Sequence, residues 1–392
     1  MIRRAPRAPD APDAPLVRTP RASAPLALQA VTPEALARAV PACTLAEARK
    51  LIARVHRGLP VAATSAVRRV AAEAVAAAGH VPTLTVRARQ DSAIDPFAKL
   101  VLELPDGELC ETVRIPLERP GRVSVCVSSQ VGCALACAFC ATGRLGLRRN
   151  LEAWEIVEQV RAVRAGLDPG QRVHGVVFQG MGEPMANLDR VLEAIAVFCE
   201  PCAQGIDARA ITVCTSGHPG GIRRLAREAP RVRLGLSLAS VRPEVRRALM
   251  PVERAHPLEE VLAAAADHAR ATGLAPMWAV TLLAGVNDAP DDARALASRA
   301  RAFAAATGIT PRLSIIAYNP VGASDPFTRA GDAATAAYRA VLADAGLASH
   351  RRYSGGGDIA AACGQLAAVA AGRGSADGGR QPRPGDGSVT AT

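Results

Sequence analysis

Apolar residues along the chain fall first at helical spacing, then in alternation, then in a long series of both. In "TPEALARAVPACTLAEARKLIARVHRGL" and "SAVRRVAAEAVAAAG" they recur every three or four positions, which predicts a small helical module ending near Gly79. "TLTVRARQ" and "AKLVLELPDGELCETVRIPL" switch to strand-like patterns, the second with a hairpin turn at Asp106-Gly107. From Arg122 the two periods alternate. Strands are expected in "RVSVCVSS", "HGVVFQGMGEP", "ARAITVCTSG", "VRLGLSLAS", "MWAVTLLAGV" and "RLSIIAYNP". A helical pattern follows each, from "EAWEIVEQVRAVRAG" to "AATAAYRAVLADAG". Six strand–helix pairs imply a parallel sheet, because each helix supplies the crossover that a parallel pair needs. Periodicity does not separate an open sheet from one curled into a partial barrel. In either case the active site sits at the carboxyl ends of the strands. The chemically sharp residues (the cysteines, "GMGEP", "TSG", "SLAS", "NP") all fall where a strand ends.

The expected organisation is a basic disordered arm over 1–30, a helical accessory domain over 31–80, and a β extension over 81–121. An α/β core follows over 122–350, a C-terminal segment over 351–370, and a Gly/Pro-rich disordered tail over 371–392. With 49% hydrophobic and 21% charged residues, most of the chain is expected to fold. The net charge of +11 admits a polyanionic partner without establishing one, and 3% aromatic residues argue against a single-strand binder built on stacking. No apolar run is long enough to span a membrane, and the N-terminal stretch lacks the apolar region of a signal peptide. A cytoplasmic location follows as the expectation. There, disulfides are the wrong first reading of ten cysteines.

Four of those cysteines lie in "CVSSQVGCALACAFCATG", residues 126–143. Cys133, Cys137 and Cys140 form C-x3-C-x2-C on the loop after the first core strand. A structural zinc site wants four ligands, and iron–sulfur clusters normally take four thiolates. Three thiolates from one short loop leave one iron open, as a catalytic cluster requires. Cys199 and Cys202, a C-x2-C at a helix end, have no redox context after a strand and read as structural or incidental.

The C-x3-C-x2-C loop, with Phe139 aromatic and an α/β repeat behind it, resembles the signature of the radical S-adenosylmethionine (SAM) enzymes. "CVSSQVGCALACAFCATGRLGLRRNL", "GMGEPMANLD", "TSG", "VND", "NP" and "GDIAAACGQLA" together resemble the RlmN/Cfr family of RNA adenine methyltransferases, over residues 45 to 370. The resemblance implies a partial (β/α)6-type parallel barrel. It also implies a [4Fe-4S] cluster on Cys133, Cys137 and Cys140, with SAM held by Gly182, Glu183, Ser237, Leu238 and Asn319. By the same resemblance Cys363 carries a methyl group that is activated as a radical and added to an adenine ring carbon, C2 in preference to C8. Glu111 would accept the ring proton, and Cys126 would release the adduct by forming a transient disulfide with Cys363. Ribosomal or transfer RNA would be the substrate, and a small protein such as a flavodoxin the electron donor. Three positions depart from the family pattern: Cys214 replaces a serine, Ala239 a histidine and Ala279 a glutamate. Those departures leave two rival readings at the sequence. One is a radical SAM enzyme of another reaction type; the other is a non-catalytic iron–sulfur RNA-binding protein.

Overall fold

The computed structural model describes residues 25–322 and 325–367. The expected tail and most of the expected arm lie outside these residues. Where the arm is described it differs from the expectation. Leu26–Ala27 pairs in parallel with Gly79–His80, and Leu28 is buried in the helical module. These leucines are apolar enough to close the module's edge, so ordered chain begins before residue 30.

That module packs α1 (Pro33–Ala39), α2 (Leu45–His56) and α3 (Arg69–Ala78) around Leu36, Leu51, Ile52, Val55 and Val75. Thr44 and Glu47 form a capping box at the start of α2. The Glu47 carboxylate also takes two bonds of 2.8 Å from the Arg68 guanidinium, fastening α2 to the entry of α3.

Ten strands make the main sheet: β1 (Thr85–Asp91), β2 (Ala98–Glu103), β3 (Leu109–Pro116), β4 (Arg122–Val127), β5 (Arg172–Phe178), β6 (Ile211–Thr215), β7 (Arg233–Ser237), β8 (Met277–Leu282), β9 (Arg312–Ala317) and β10 (Ser349–Arg352). They stand in chain order across the sheet. β1 to β4 are antiparallel neighbours, with Gly107 (φ 82°) in the β2–β3 turn; β4 to β10 are all parallel. The helices that make the crossovers are α4 (Ala153–Ala165), α5 (Leu188–Cys199), α6 (Pro219–Glu228), α7 (Pro243–Leu249), α8 (Leu258–Thr272), α9 (Pro290–Thr307) and α10 (Asp332–Asp344). The expected six strand–helix pairs are joined by β10, which the sequence pattern does not reveal. It carries the core sheet past the boundary expected at residue 350.

Alternation along the strands divides the two faces. Val213, Leu234, Trp278 and Leu313 point outward into one apolar core shared with the helices. Cys214, Ser237, Ala279 and Ile316 point inward to a single cavity, together with Cys126 of β4 and Arg352 of β10. Seven parallel strands laid flat would span roughly 30 Å at the usual interstrand spacing, too far for one cavity to touch both ends. The sheet is therefore curled, an open partial barrel. Among the described residues no helix is long and apolar enough to cross a membrane.

Candidate active site

The cavity holds about 200 Å3 and opens at the carboxyl ends of the parallel strands. Its floor is the concave sheet. One side of its mouth is the cysteine loop, the other the C-terminal segment that follows β10.

Buried side-chain amides support the cysteine loop. Gln159 of α4 accepts a bond from the Ser128 N–H at 2.7 Å and donates to the Ser128 carbonyl at 3.0 Å. Asn187 donates to the carbonyls of Ser129 and Leu151, both at 2.8 Å. These amides substitute for the sheet partners that the chain loses as it leaves β4. A Cβ on Gly143 would lie 2.9 Å from the Cys137 nitrogen, so the loop closes against a glycine. Cys133, Cys137 and Cys140 all line the cavity. Burial pushes the Cys133 thiol up to about 11 and Cys137 to about 12, with the neighbouring thiols adding to the rise. Among the described residues no three His, Cys, Asp or Glu side chains are placed to share a single metal ion. Three thiols from one short loop lining one cavity have the donor chemistry that an iron–sulfur cluster takes.

Gly182 adopts φ 96°, and a Cβ there would meet the Gln130 side chain at 2.6 Å. This lets the "GMGEP" turn lie against the loop, where the Glu183 N–H donates to Gln130 Oε1 at 2.8 Å. The buried Glu183 carboxylate accepts from the Met185 N–H at 3.0 Å and the Ser216 N–H at 2.9 Å. Burial raises its pKa against these bonds. Ser237 stands on the cavity wall at the end of β7. Leu238 does not; its N–H bonds the Ala279 carbonyl, and its own carbonyl accepts from Arg246 at 2.6 Å.

Arg246 is a site residue that the sequence reading missed. Fully buried, it pairs with Glu253 at 2.8 Å and also donates to the carbonyls of Ser216 and Ser237. It thus joins the loops after β6 and β7, and burial lowers its pKa despite the Glu253 partner. Asn287 acts similarly, donating to the carbonyls of Ala239 and Thr281 at 2.7 and 2.9 Å; Ala239 itself takes φ 55°.

Cys126 and Cys363 both line the cavity. Cys126 sits in β4 opposite Val113 of β3, and burial pushes its thiol up to about 12, with Cys363 contributing and Arg352 opposing. All cysteines of the described chain are free thiols. The Cys363 N–H donates to Ser354 Oγ at 2.9 Å, and Asn319 Nδ2 donates to the same oxygen at 3.2 Å. Asn319 Nδ2 also lies 3.5 Å from the Cys363 carbonyl, which sets it beside that residue. Thr142 Oγ1 donates to the Leu366 carbonyl, and Ala141 N–H to that of Gly364, joining the cysteine loop to the C-terminal segment. Glu111 also stands behind the wall. It is 1% exposed, pairs with Lys99 at 2.9 Å and accepts from the Ala367 N–H at 2.8 Å.

Three cluster-spaced thiols at the carboxyl rim of a curled parallel sheet define a radical SAM enzyme, and the model of the radical SAM superfamily matches residues 127–297. A radical SAM methyltransferase from Sphaerobacter thermophilus superposes with a TM-score of 0.79 at 34% identity, covering 88% of this chain and all of that one. A probable RNA methyltransferase from Sorangium cellulosum is 59% identical over 366 residues, 87% of this chain and 92% of the relative. A probable dual-specificity RNA methyltransferase RlmN from Moorella thermoacetica is 42% identical over 81% of this chain and 88% of its own length. The chain belongs to the RlmN/Cfr-like family of radical SAM RNA methyltransferases, enzymes that use a [4Fe-4S] cluster and SAM.

Proposed function

We propose that this enzyme methylates a ring carbon of an adenine in ribosomal or transfer RNA, C2 in preference to C8, through an S-methylated Cys363. The observation that carries the reading is the placing of Cys126 and Cys363 in one cavity with the three cluster thiols. The cluster and SAM would supply the methyl group and the radical chemistry, held by Cys133, Cys137 and Cys140 and by the rim residues Gly182, Glu183 and Ser237. Asn319 and Leu238 support that rim from behind.

Ser354 and Asn319 anchor the Cys363 backbone, so its sulfur moves by side-chain rotation between methyl acceptance, attack on the base and release. Glu111, paired with Lys99 beside the C-terminal segment, accepts the ring proton. Release requires the Cys126 thiolate to attack the Cys363 sulfur, a transient disulfide that is reduced before the next cycle. The adenine must leave its stack to reach so enclosed a cavity. Arg49 and Lys50 of α2, and Arg57 just after it, face a cleft shared with Arg164, a basic surface suited to holding phosphates in register. Alanines at 239 and 279 narrow the polar contacts open to the cofactor. A flavodoxin-like electron donor and a cytoplasmic location complete the reading.

Peptide mass analysis of protein purified without oxygen tests it directly. Cys363 should carry one added methylene's mass. An unmodified Cys363 in cluster-loaded protein supplied with SAM would sink the proposal. Glu111→Gln should keep that methyl group on Cys363 yet slow RNA turnover by about 10²–10⁴-fold, the usual range for loss of a general base. Equal loss of both half-reactions would remove Glu111 from the role.

A further inference from the structure

A third thiol shares the cavity with Cys126 and Cys363, and the reaction just proposed does not use it. Cys214 lies next to the end of β6, one register step beyond the β5–β6 pair Phe178–Val213, and lines the cavity on the concave face. Its register partner across β7 is Gly235, where a Cβ would lie 2.8 Å from the Cys214 sulfur. The missing side chain is what lets that sulfur lie against β7.

Arg352 sets these sulfurs in relation. Half-buried at the end of β10, it lines the cavity and is influenced electrostatically by Cys363, Cys214 and Cys126, in that order. Cys214 in turn feels Arg352 and then Cys363, while burial holds its thiol up at about 12. Arg352 opposes that rise, and a cation beside a thiol favours the nucleophilic thiolate. Cys126, Cys214 and Arg352 line the cavity from the sheet, and Cys363 lines it from the segment that follows β10.

We infer that Cys214 is a second resolving thiol, able to form a disulfide with Cys363 and release the methylated base when Cys126 does not. The inference rests on the methyl-cysteine reading. In the step, the Cys214 thiolate forms an S–S bond to the Cys363 sulfur as the bond from that sulfur to the methylene carbon breaks. The bonding pair leaves on the carbon, which takes one proton to become the methyl group. The two sulfurs are oxidised by two electrons and the carbon is reduced by two, so no external oxidant enters. A dithiol reductant then restores both thiols.

The test begins without RNA. Cys126→Ala protein is produced without its cluster, so that Cys363 stays an unmethylated thiol. It is reconstituted in the absence of SAM and treated briefly with diamide, and its disulfides are mapped by peptide mass. A Cys214–Cys363 bridge is expected; diamide treatment that leaves Cys363 free, or paired elsewhere, overturns the inference. Wild-type protein mapped in parallel guards against a misfolded variant, and there the bridge should appear alongside Cys126–Cys363. With RNA, Cys126→Ala should release methylated product, whereas Cys126→Ala with Cys214→Ser should accumulate a covalent protein–RNA adduct. Equal adduct in the single and double variants overturns the inference. A Cys214–Cys363 bridge in protein whose wild type neither methylates Cys363 nor modifies RNA would instead overturn the reading beneath it.

Discussion

Two walls enclose the cavity, and they are held in different ways. The cofactor wall, made of the cysteine loop and the loops after β5, β6 and β7, is tied to the sheet by buried Gln159, Asn187 and Arg246. The facing wall, residues 353–367, has no strand and one short helical turn, Gly357–Ile359. It is held by side-chain bonds along its length, from Asp95 at Tyr353 and Gly356, Ser92 at Asp358, Ser354 and Asn319 at Cys363, Thr142 at Leu366 and Glu111 at Ala367. Ala361 and Leu366 also pack beside Phe97. A cluster and a cofactor need a frame that does not move, because misplacing a reacting atom by an ångström is costly. A sulfur that must visit a methyl donor, a base and a second sulfur needs the opposite. The same contrast separates the two thiols proposed to react: Cys126 is fixed in a central strand, and Cys363 sits on the cap.

The sharpest way to break the comparison is at Arg246. Arg246→Met leaves the Glu253 carboxylate buried without its cation and removes the donor from three loop carbonyls. Loss of one partner of a buried pair costs about 3–5 kcal/mol. Denaturant unfolding should show a destabilisation of that size, together with weakened SAM binding. Arg246→Lys should recover little, since an ammonium lacks the fork that reaches several carbonyls at once. A near-neutral Arg246→Met would mean that the cofactor wall is no better built than the cap.

The frame also predicts a pH signature. His268 of α8 is fully buried, its Nε2 lacks a hydrogen-bond partner, and burial pushes its pKa down to about 4. The unfolded chain takes up this proton near pH 6.5. Stability tied to the neutral ring is therefore fully present above pH 6.5 and is lost as the pH falls toward 4. The loss should be on the order of 1–3 kcal/mol. His268→Leu should flatten the melting temperature across that window, and an unchanged slope would refute the assignment.

What the sequence disclosed follows the same division. The cysteine loop and "GMGEP" were legible because their chemistry depends on spacings of a few residues. The six strand–helix pairs were legible because helix and sheet impose different apolar periods. β10 was not, because "SHRR" alternates nothing and reads as polar loop. Arg246 and Arg352 were hidden by composition: among 47 Lys and Arg residues, no single arginine stands out as buried. Cys214 read as the loss of a serine, whereas curling the sheet makes it a third sulfur in the cavity. Asn319 was expected to touch the cofactor. It also bonds Ser354, and only the tertiary fold brings that distant residue to it.

The smallest expected effect on stability is also the most telling about the cap. Ser354→Ala removes the acceptor for the Cys363 N–H, and Asn319→Ala removes the amide bonded to the same hydroxyl. Each bond is worth about 1 kcal/mol or less in a segment that water can reach. Unfolding curves should therefore barely move, while iodoacetamide should alkylate Cys363 faster and kcat should fall with KM nearly unchanged. This pattern would mark both residues as positioning groups that aim a mobile sulfur. If Ser354→Ala destabilised the protein as strongly as Arg246→Met, the cap would belong to the frame. Cys363 would then need a motion of the whole segment, and not of its own side chain, to travel between its partners.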